Sequence, residues 1–199
     1  GKLRFKGKGF FKTFVYNQSG FKILKSDLRY DKLHLAKIGN VPFILHREIE
    51  GTIKQIIIKH TLSGKWFALI IAEQRITPLP TENTNKIGID LGLMNYVADS
   101  DGRQIKHPKH LHLSLNKLKK AQRHLSRKKK RSHNRTKQRI KVARVHEKIV
   151  NQRDDFLHKL SRYYADNYGF IAVENLNING LIKLSYNPRN IMDASWSRF

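Results

Sequence analysis

The sequence predicts a mixed α/β protein: a small N-terminal β-barrel or sandwich, then an α/β domain whose sheet is interrupted by a basic helical hairpin. Three observations carry this expectation. Residues 10 to 73 hold short runs rich in β-branched and aromatic residues, divided by Gly, Pro, Asn and Ser. Residues 111 to 167 place apolar side chains at helical spacing. Two apolar strand-like runs, "KIGIDLG" at 86–92 and "GFIAVENL" at 169–176, bracket the helical stretch, as they would if one sheet received both.

Along the chain, the early runs are "FFKTFVY", "KLHLAKI", "VPFILH", "IKQIIIKH" and "KWFALIIA", with "LSG" a hairpin turn between the last two. Several such strands suggest a small barrel or sandwich over residues 1–75. "ITPLPTENTN", residues 76–85, lacks periodicity and has turn-forming composition, so it is predicted to be a linker. The second domain, 86–199, opens with "KIGIDLG", and its "SDG" suits a β-hairpin turn. Leu111, Leu115, Leu118 and Leu125 form one helical stripe. After a break at "KKKRSHNR", a second stripe runs Val142, Val145, Ile149, Phe156, Leu160 and Tyr164. These two helices are expected to pair antiparallel. "GFIAVENL" then reads as a buried strand and "NINGLIK" as a turn. The chain opens on Gly1 and stops after "DASWSRF", which reads as the start of a helix, so a fragment of a longer protein is expected.

Charge narrows the function. The 199 residues contain 40 Lys and Arg against 15 Asp and Glu, a formal net charge of +25. Such an excess opposes compaction unless a polyanion neutralises it, which points to nucleic acid. Between Arg103 and Lys148 the only acid is Glu147. No apolar run approaches membrane-spanning length, and no basic helix carries a bulky apolar face, so no membrane partner is expected. With no cysteine, disulfides and thiolate metal sites are excluded within these residues. That composition fits a reducing cytoplasm.

Asp90 stands out because it lies inside an apolar strand. Alternation puts Ile87, Ile89 and Leu91 on one face and Gly88, Asp90 and Gly92 on the other. Flanking glycines suggest open space beside a carboxylate. Glu174 ends the second strand in a similar way, sharing a face with Phe170 and small Ala172. Two strand-borne acids could hold a hard divalent cation through oxygen, or they could simply end strands and bond backbone amides. Both readings stand at this level.

Taken together, "LHREIEGTIK", "GIDLGLMNYVADSDG", "LSRKKKRSHNR", "HEKIVNQRDDFLHKLS", "VENLNINGL" and "DASWS" resemble, in order, the TnpB family of IS200/IS605-type insertion sequences, the ancestors of type V CRISPR effectors. The resemblance implies an RNA-guided DNA endonuclease of a bacterial or archaeal cytoplasm, with guide RNA and target DNA as partners. It implies a wedge-like β-barrel followed by a RuvC-like domain of the ribonuclease H fold, cutting DNA with Mg²⁺ or Mn²⁺. Asp90 then matches the first catalytic acid and metal ligand, and Glu174 the second. The family's third acid follows a four-cysteine zinc ribbon, so Zn²⁺ is expected only beyond these residues. Asp193 in "DASW" is not that third acid.

Other signals have two readings each. The run at 127–135 suits phosphate contacts, with Arg123, Lys128, Arg131, Arg135 and Arg139 the candidate nucleic-acid ligands; otherwise it is a solvated charge run. "RFKGKGFFKTFVY" mixes Lys2, Arg4, Lys6, Lys8 and Lys12 with aromatics, as single-strand binders do, or else its aromatics are strand core. His107, His110 and His112 lack acids or Cys at ligand spacing, so phosphate donors are a better reading than a metal site. Asp99 and Asp101 fit turn chemistry. An actin-like or Hsp70-like ATPase shares the "IGIDLG" strand, but Leu93, Met94 and Asn95 follow here and offer phosphate little. A guided binder that no longer cuts is the remaining rival.

Overall fold

The computed structural model describes residues 10–27, 29–75 and 83–199. The chain divides into two compact units, Gly1–Pro78 and Leu79–Phe199. Most of the predicted linker, residues 76–82, lies outside the described residues, as do Lys2, Arg4, Lys6 and Lys8.

The first unit contains β1 (Thr13–Asn17), β2 (Phe21–Leu24), β3 (Asp31–Leu35), β4 (Gly39–Phe43), β5 (Thr52–His60) and β6 (Trp66–Glu73). They form two three-stranded antiparallel sheets, ordered β1-β5-β6 and β2-β3-β4. A short 3₁₀ turn at Gln18–Gly20 carries the chain from one sheet into the other. Leu33 and Leu35 of β3 pack with Ile56 and Ile58 of β5 to make the core. Among the described residues no closed barrel forms. The reason is local: consecutive β1 and β2 join different sheets, and no ladder links the outer strands. The "LSG" turn does close the β5–β6 hairpin, with Gly64 at φ +89° and its N–H donating to the Thr61 carbonyl. Of the early strands, β2 was not legible as a separate run.

The second unit begins with β7 (Lys86–Leu91), β8 (Asn95–Asp99) and β9 (Gln104–Lys106). Helices α1 (His110–Ser126) and α2 (His133–Asn167) follow, then β10 (Phe170–Val173), α3 (Ile178–Leu184) and α4 (Pro188–Ala194). The sheet order is β10-β7-β8-β9, with β7, β8 and β9 antiparallel in sequence and β10 parallel to β7. The helical excursion therefore returns the chain beside the strand that precedes it.

Helix α2 does two jobs along its 35 residues, about 50 Å of helix. Its first half pairs with α1, burying Leu118 and Ile149. Its second half supplies Leu157, Leu160 and Tyr164 to a core with Ile87, Ile89, Leu91, Tyr96 and Val97 of the sheet and Ile191, Ala194 and Trp196 from the C-terminal segment. Ser132 caps α2, its Oγ accepting from the Arg135 amide at 3.2 Å.

Three expectations fail here. β10 is exposed along its whole length because it is an edge strand, so its apolar residues lack cover on that side. "NINGLIK" forms α3, capped by Asn177 Oδ1 accepting from the Gly180 amide at 3.0 Å. "DASWSRF" is only in part the start of a helix: its "DA" ends α4, and after Ser195 at φ +51° a single 3₁₀ turn begins at Trp196–Arg198.

Candidate functional site

Asp90 lies on β7, whose alternation is clean: Ile87, Ile89 and Leu91 are buried while Asp90 is exposed. The parallel register pairs Ile171 with Ile87, Ala172 with Gly88 and Val173 with Ile89. The next step along both strands reaches Glu174 on one and Asp90 on the other. Asp90 and Glu174 are thus each the first residue past the last paired position, Ile89–Val173, of strands that lie about 4.8 Å apart in the hydrogen-bonding direction. Glu174 stands one residue past the end of β10 and also borders an apolar cavity of about 310 Å³ with Leu91, Tyr164, Val173 and Trp196. Among the described residues no ion pair or side-chain hydrogen bond engages either acid, and no group of three potential metal ligands forms.

The glycines beside Asp90 have reasons of their own. A Cβ on Gly92 would meet the Asn95 carbonyl at 2.9 Å, so the tight β7–β8 turn requires glycine there. A Cβ on Gly88 would make ordinary contact with Ser100 at 3.9 Å. Ser100 fills that side, its Oγ accepting from the Gly88 amide at 3.1 Å. The expectation that both glycines clear space for a ligand is therefore not met; turn geometry explains one of them.

Asp99, Asp101 and Asp193 have structural partners. Asp99 Oδ2 accepts from the Tyr164 hydroxyl at 2.8 Å, and Asp101 Oδ2 from Tyr168 at 2.6 Å, which ties the β8–β9 turn to the end of α2. Burial, reinforced by Asp99, pushes the Tyr164 phenol well above its ordinary range. The hydrogen bond to Asp101 pushes Tyr168 up to about 12. Asp193 is 7% exposed. Its Oδ1 accepts from Arg153 Nη2 at 2.7 Å and its Oδ2 from the Leu111 amide at 3.2 Å. That carboxylate joins α4, α2 and the first turn of α1. His107 Nδ1 accepts from the Lys109 amide at 2.9 Å, and burial lowers its pKa.

The candidate nucleic-acid residues separate into distinct roles. Arg123, Lys128 and Arg139 are exposed. Arg131 takes the left-handed conformation in the α1–α2 turn, φ +66°. Arg135 Nη1 donates to the Leu125 and Lys128 carbonyls at 2.9 and 3.2 Å, adding to the Lys128 amide that also donates to Leu125 at the end of α1. Lys12 is half-buried, and its carbonyl accepts from the His60 amide at 2.7 Å. The aromatics Phe10 and Phe11 are exposed rather than strand core.

A further set of cations went unread in the sequence. Lys117, Lys120 and His124 on α1 face Lys141, Arg144 and Lys148 on α2 across a groove of about 530 Å³. The available signal was the shared spacing, three then four residues on each helix.

These features define a basic α/β protein suited to a polyanion, with a pair of strand-borne acids on its sheet. A family model described as "Probable transposase", OrfB_IS605, matches residues 69–185, and the chain belongs to that family. A Streptomyces pristinaespiralis protein named "Putative RNA-guided DNA endonuclease" is 41% identical over 142 residues, 71% of this chain and 35% of that relative. "Putative RNA-guided DNA endonuclease InsQ" of Escherichia coli K12 is 30% identical over 180 residues, 90% of this chain and 44% of the relative. The chain thus spans less than half the length of these two relatives. Among the described residues no helix is long and apolar enough to cross a membrane.

Proposed function

We propose that this chain is part of an RNA-guided DNA endonuclease whose second unit is a RuvC-like nuclease domain of the ribonuclease H fold. Family membership supports the guided-nuclease class. The sheet order β10-β7-β8-β9, three antiparallel strands with a fourth added parallel to the first, supports the fold. One observation supports the catalytic assignment: the parallel β10–β7 register, whose next step beyond Val173–Ile89 would be Glu174 and Asp90.

The residues fit a hard cation in their donor chemistry: two carboxylates on adjacent strands, neither engaged by a basic side chain among the described residues. Mg²⁺ or Mn²⁺ held there supplies activation of water and stabilisation of the leaving oxygen in phosphodiester hydrolysis. Asp90, fixed on a buried strand, sets one ligand position; Glu174 supplies the second at the strand end. The basic hairpin holds guide RNA or target DNA, and the first unit contributes to guide binding.

The test uses the full-length protein with its guide. Asp90→Ala or Glu174→Ala should lower cleavage of matched DNA by at least about a thousandfold, ~4 kcal/mol in the barrier, while guide RNA stays bound. Undiminished cutting by either variant removes that residue from the site. A second reading is a guided binder that does not cut. Guide-dependent DNA binding without Mg²⁺-dependent cleavage by the full-length protein would select it.

A further inference from the structure

We infer that the groove between α1 and α2 seats one phosphodiester strand of nucleic acid, gripped by Lys117 and Lys120 on one rail and Lys141 and Lys148 on the other. The inference rests on the reading that the protein handles nucleic acid, but not on catalysis at Asp90.

The argument begins with spacing. Residues 117, 120 and 124 fall on one stripe of α1, and residues 141, 144 and 148 on one stripe of α2. Each stripe is about 10 Å long at 1.5 Å per residue. With 3.4 Å of axis per phosphate in a strand, each rail covers about three phosphates. The helices are antiparallel neighbours, so the two rails face one another across the groove.

The floor fits a backbone rather than a side chain or a base pocket. It consists of Ser114, Ala121, Gln138 and Val145, none of them bulky enough to hold a strand away from the lysines. Gln138 Nε2 donates to the Ala121 carbonyl at 3.1 Å, which fixes the helices in register beneath the groove. No carboxylate lines it. All four lysines are exposed, and among the described residues none of the four forms an ion pair. An acidic peptide would need anchoring pockets that this open floor does not provide, whereas a regularly spaced polyanion matches both rails.

The turn at 127–131 is a different case. Its carbonyls are taken up by Arg135 and by Ser132 Oγ, which donates to Lys129 at 2.8 Å. The hairpin end is therefore a built turn with exposed Lys128, Lys129 and Lys130, while Arg127 borders a separate hollow of about 490 Å³ along α1.

The experiment measures binding of fluorescein-labelled oligo-U and oligo-dT by anisotropy across a salt series, using the intact chain. One variant carries Lys117→Gln, Lys120→Gln, Lys141→Gln and Lys148→Gln. A second removes the same charge from the turn, at Arg127, Lys128, Lys129 and Lys130. A third replaces the four groove lysines with Arg. The groove variant should lose at least about tenfold in affinity, and its log–log salt slope should become shallower by about 2, three single-strand phosphate contacts at 0.7 each. The turn variant should lose less on both measures, and the Arg variant should bind like the parent. Circular dichroism of each variant separates lost binding from lost helix. A loss confined to oligo-U or to oligo-dT identifies the seated strand as RNA or DNA. Equal losses in the groove and turn variants would overturn the inference, since diffuse charge would then suffice. Because the readout is binding, a chain that binds here but never cuts defeats the nuclease reading and not this one.

Discussion

Asp193 shows what a buried carboxylate does when it is not a metal ligand. It is 7% exposed, and the Arg153 side chain 17%. Desolvating both charges is costly, and a buried pair contributes little net stability compared with an apolar replacement of both. Removing only one partner is another matter, because Arg153 would remain buried and unpaired, and the Leu111 amide would lose its acceptor. Asp193→Ala should therefore lower the stability of the second unit by about 3–5 kcal/mol, measured by urea unfolding. Asp193→Asn, which keeps an acceptor for the amide, should fall between. An unchanged midpoint for the alanine variant would mean the pair is not structural. None of this was legible in "DASW", since the partners lie 40 and 82 residues away. The Tyr168–Asp101 contact makes a second residue-level prediction. A phenol whose folded pKa is raised from 10.0 to about 12 binds its proton more tightly folded than unfolded. Its contribution is full below pH 10 and fades as pH rises from 10 to 12. Tyr168→Phe should remove that part of the alkaline decline while leaving its own effect constant below pH 10. Parallel stability curves across the whole range would refute the linkage.

At the scale of elements, the entry into β10 depends on Gly169. A Cβ there would approach the Asn83 carbonyl at 1.8 Å, a backbone atom that cannot swing away. The amides of Gly169 and Phe170 both donate to the Asn85 carbonyl, at 3.0 and 3.2 Å, so this approach starts the parallel ladder whose next step beyond Val173–Ile89 would be Glu174 and Asp90. Gly169→Ala should cost about 2 kcal/mol or more by overpacking. Gly88→Ala, with only ordinary contacts to meet, should cost less than about 1 kcal/mol. If both variants unfold at the same urea concentration, the close approach is not what positions β10. The strand pair and helical hairpin were readable because their signals are local: period-two alternation around Asp90, and leucines recurring along α1. What failed was the part set by neighbours. β10 reads as buried from its residues, yet its position at the sheet edge leaves Phe170 and Val173 exposed. "NINGLIK" has turn-forming residues, but Asn177 uses its side chain to cap a helix. The acids were legible as a candidate pair because both strands announce themselves. The groove lysines were not, because the pairing of two helices is needed to bring their stripes face to face.

For the molecule as a whole, the +25 charge sets opposing responses to salt. The free chain carries uncompensated repulsion, concentrated where α1 and α2 run together with only Glu147 among their flanking cations from Arg103 to Lys148. Raising ionic strength from 0.1 to 1 M shortens the Debye length from about 10 to 3 Å. That weakens repulsion, so the unfolding midpoint of the second unit should rise with salt. A bound polyanion stabilises the same unit by mass action, about 2.7 kcal/mol at a hundred times its dissociation constant. Salt displaces that ligand, so the increment should shrink as the free chain's own midpoint climbs. Thermal unfolding with and without oligo-U, at 0.1 and 1 M salt, should give two curves that converge from different starting points. A chain whose midpoint falls with salt in the absence of oligonucleotide would show that ion pairs outweigh repulsion. The exposed pairs Lys159–Asp155 and Arg162–Asp166 on α2 are each worth well under about 1 kcal/mol. They are too weak, and too far along the helix from the basic hairpin, to reverse the sign.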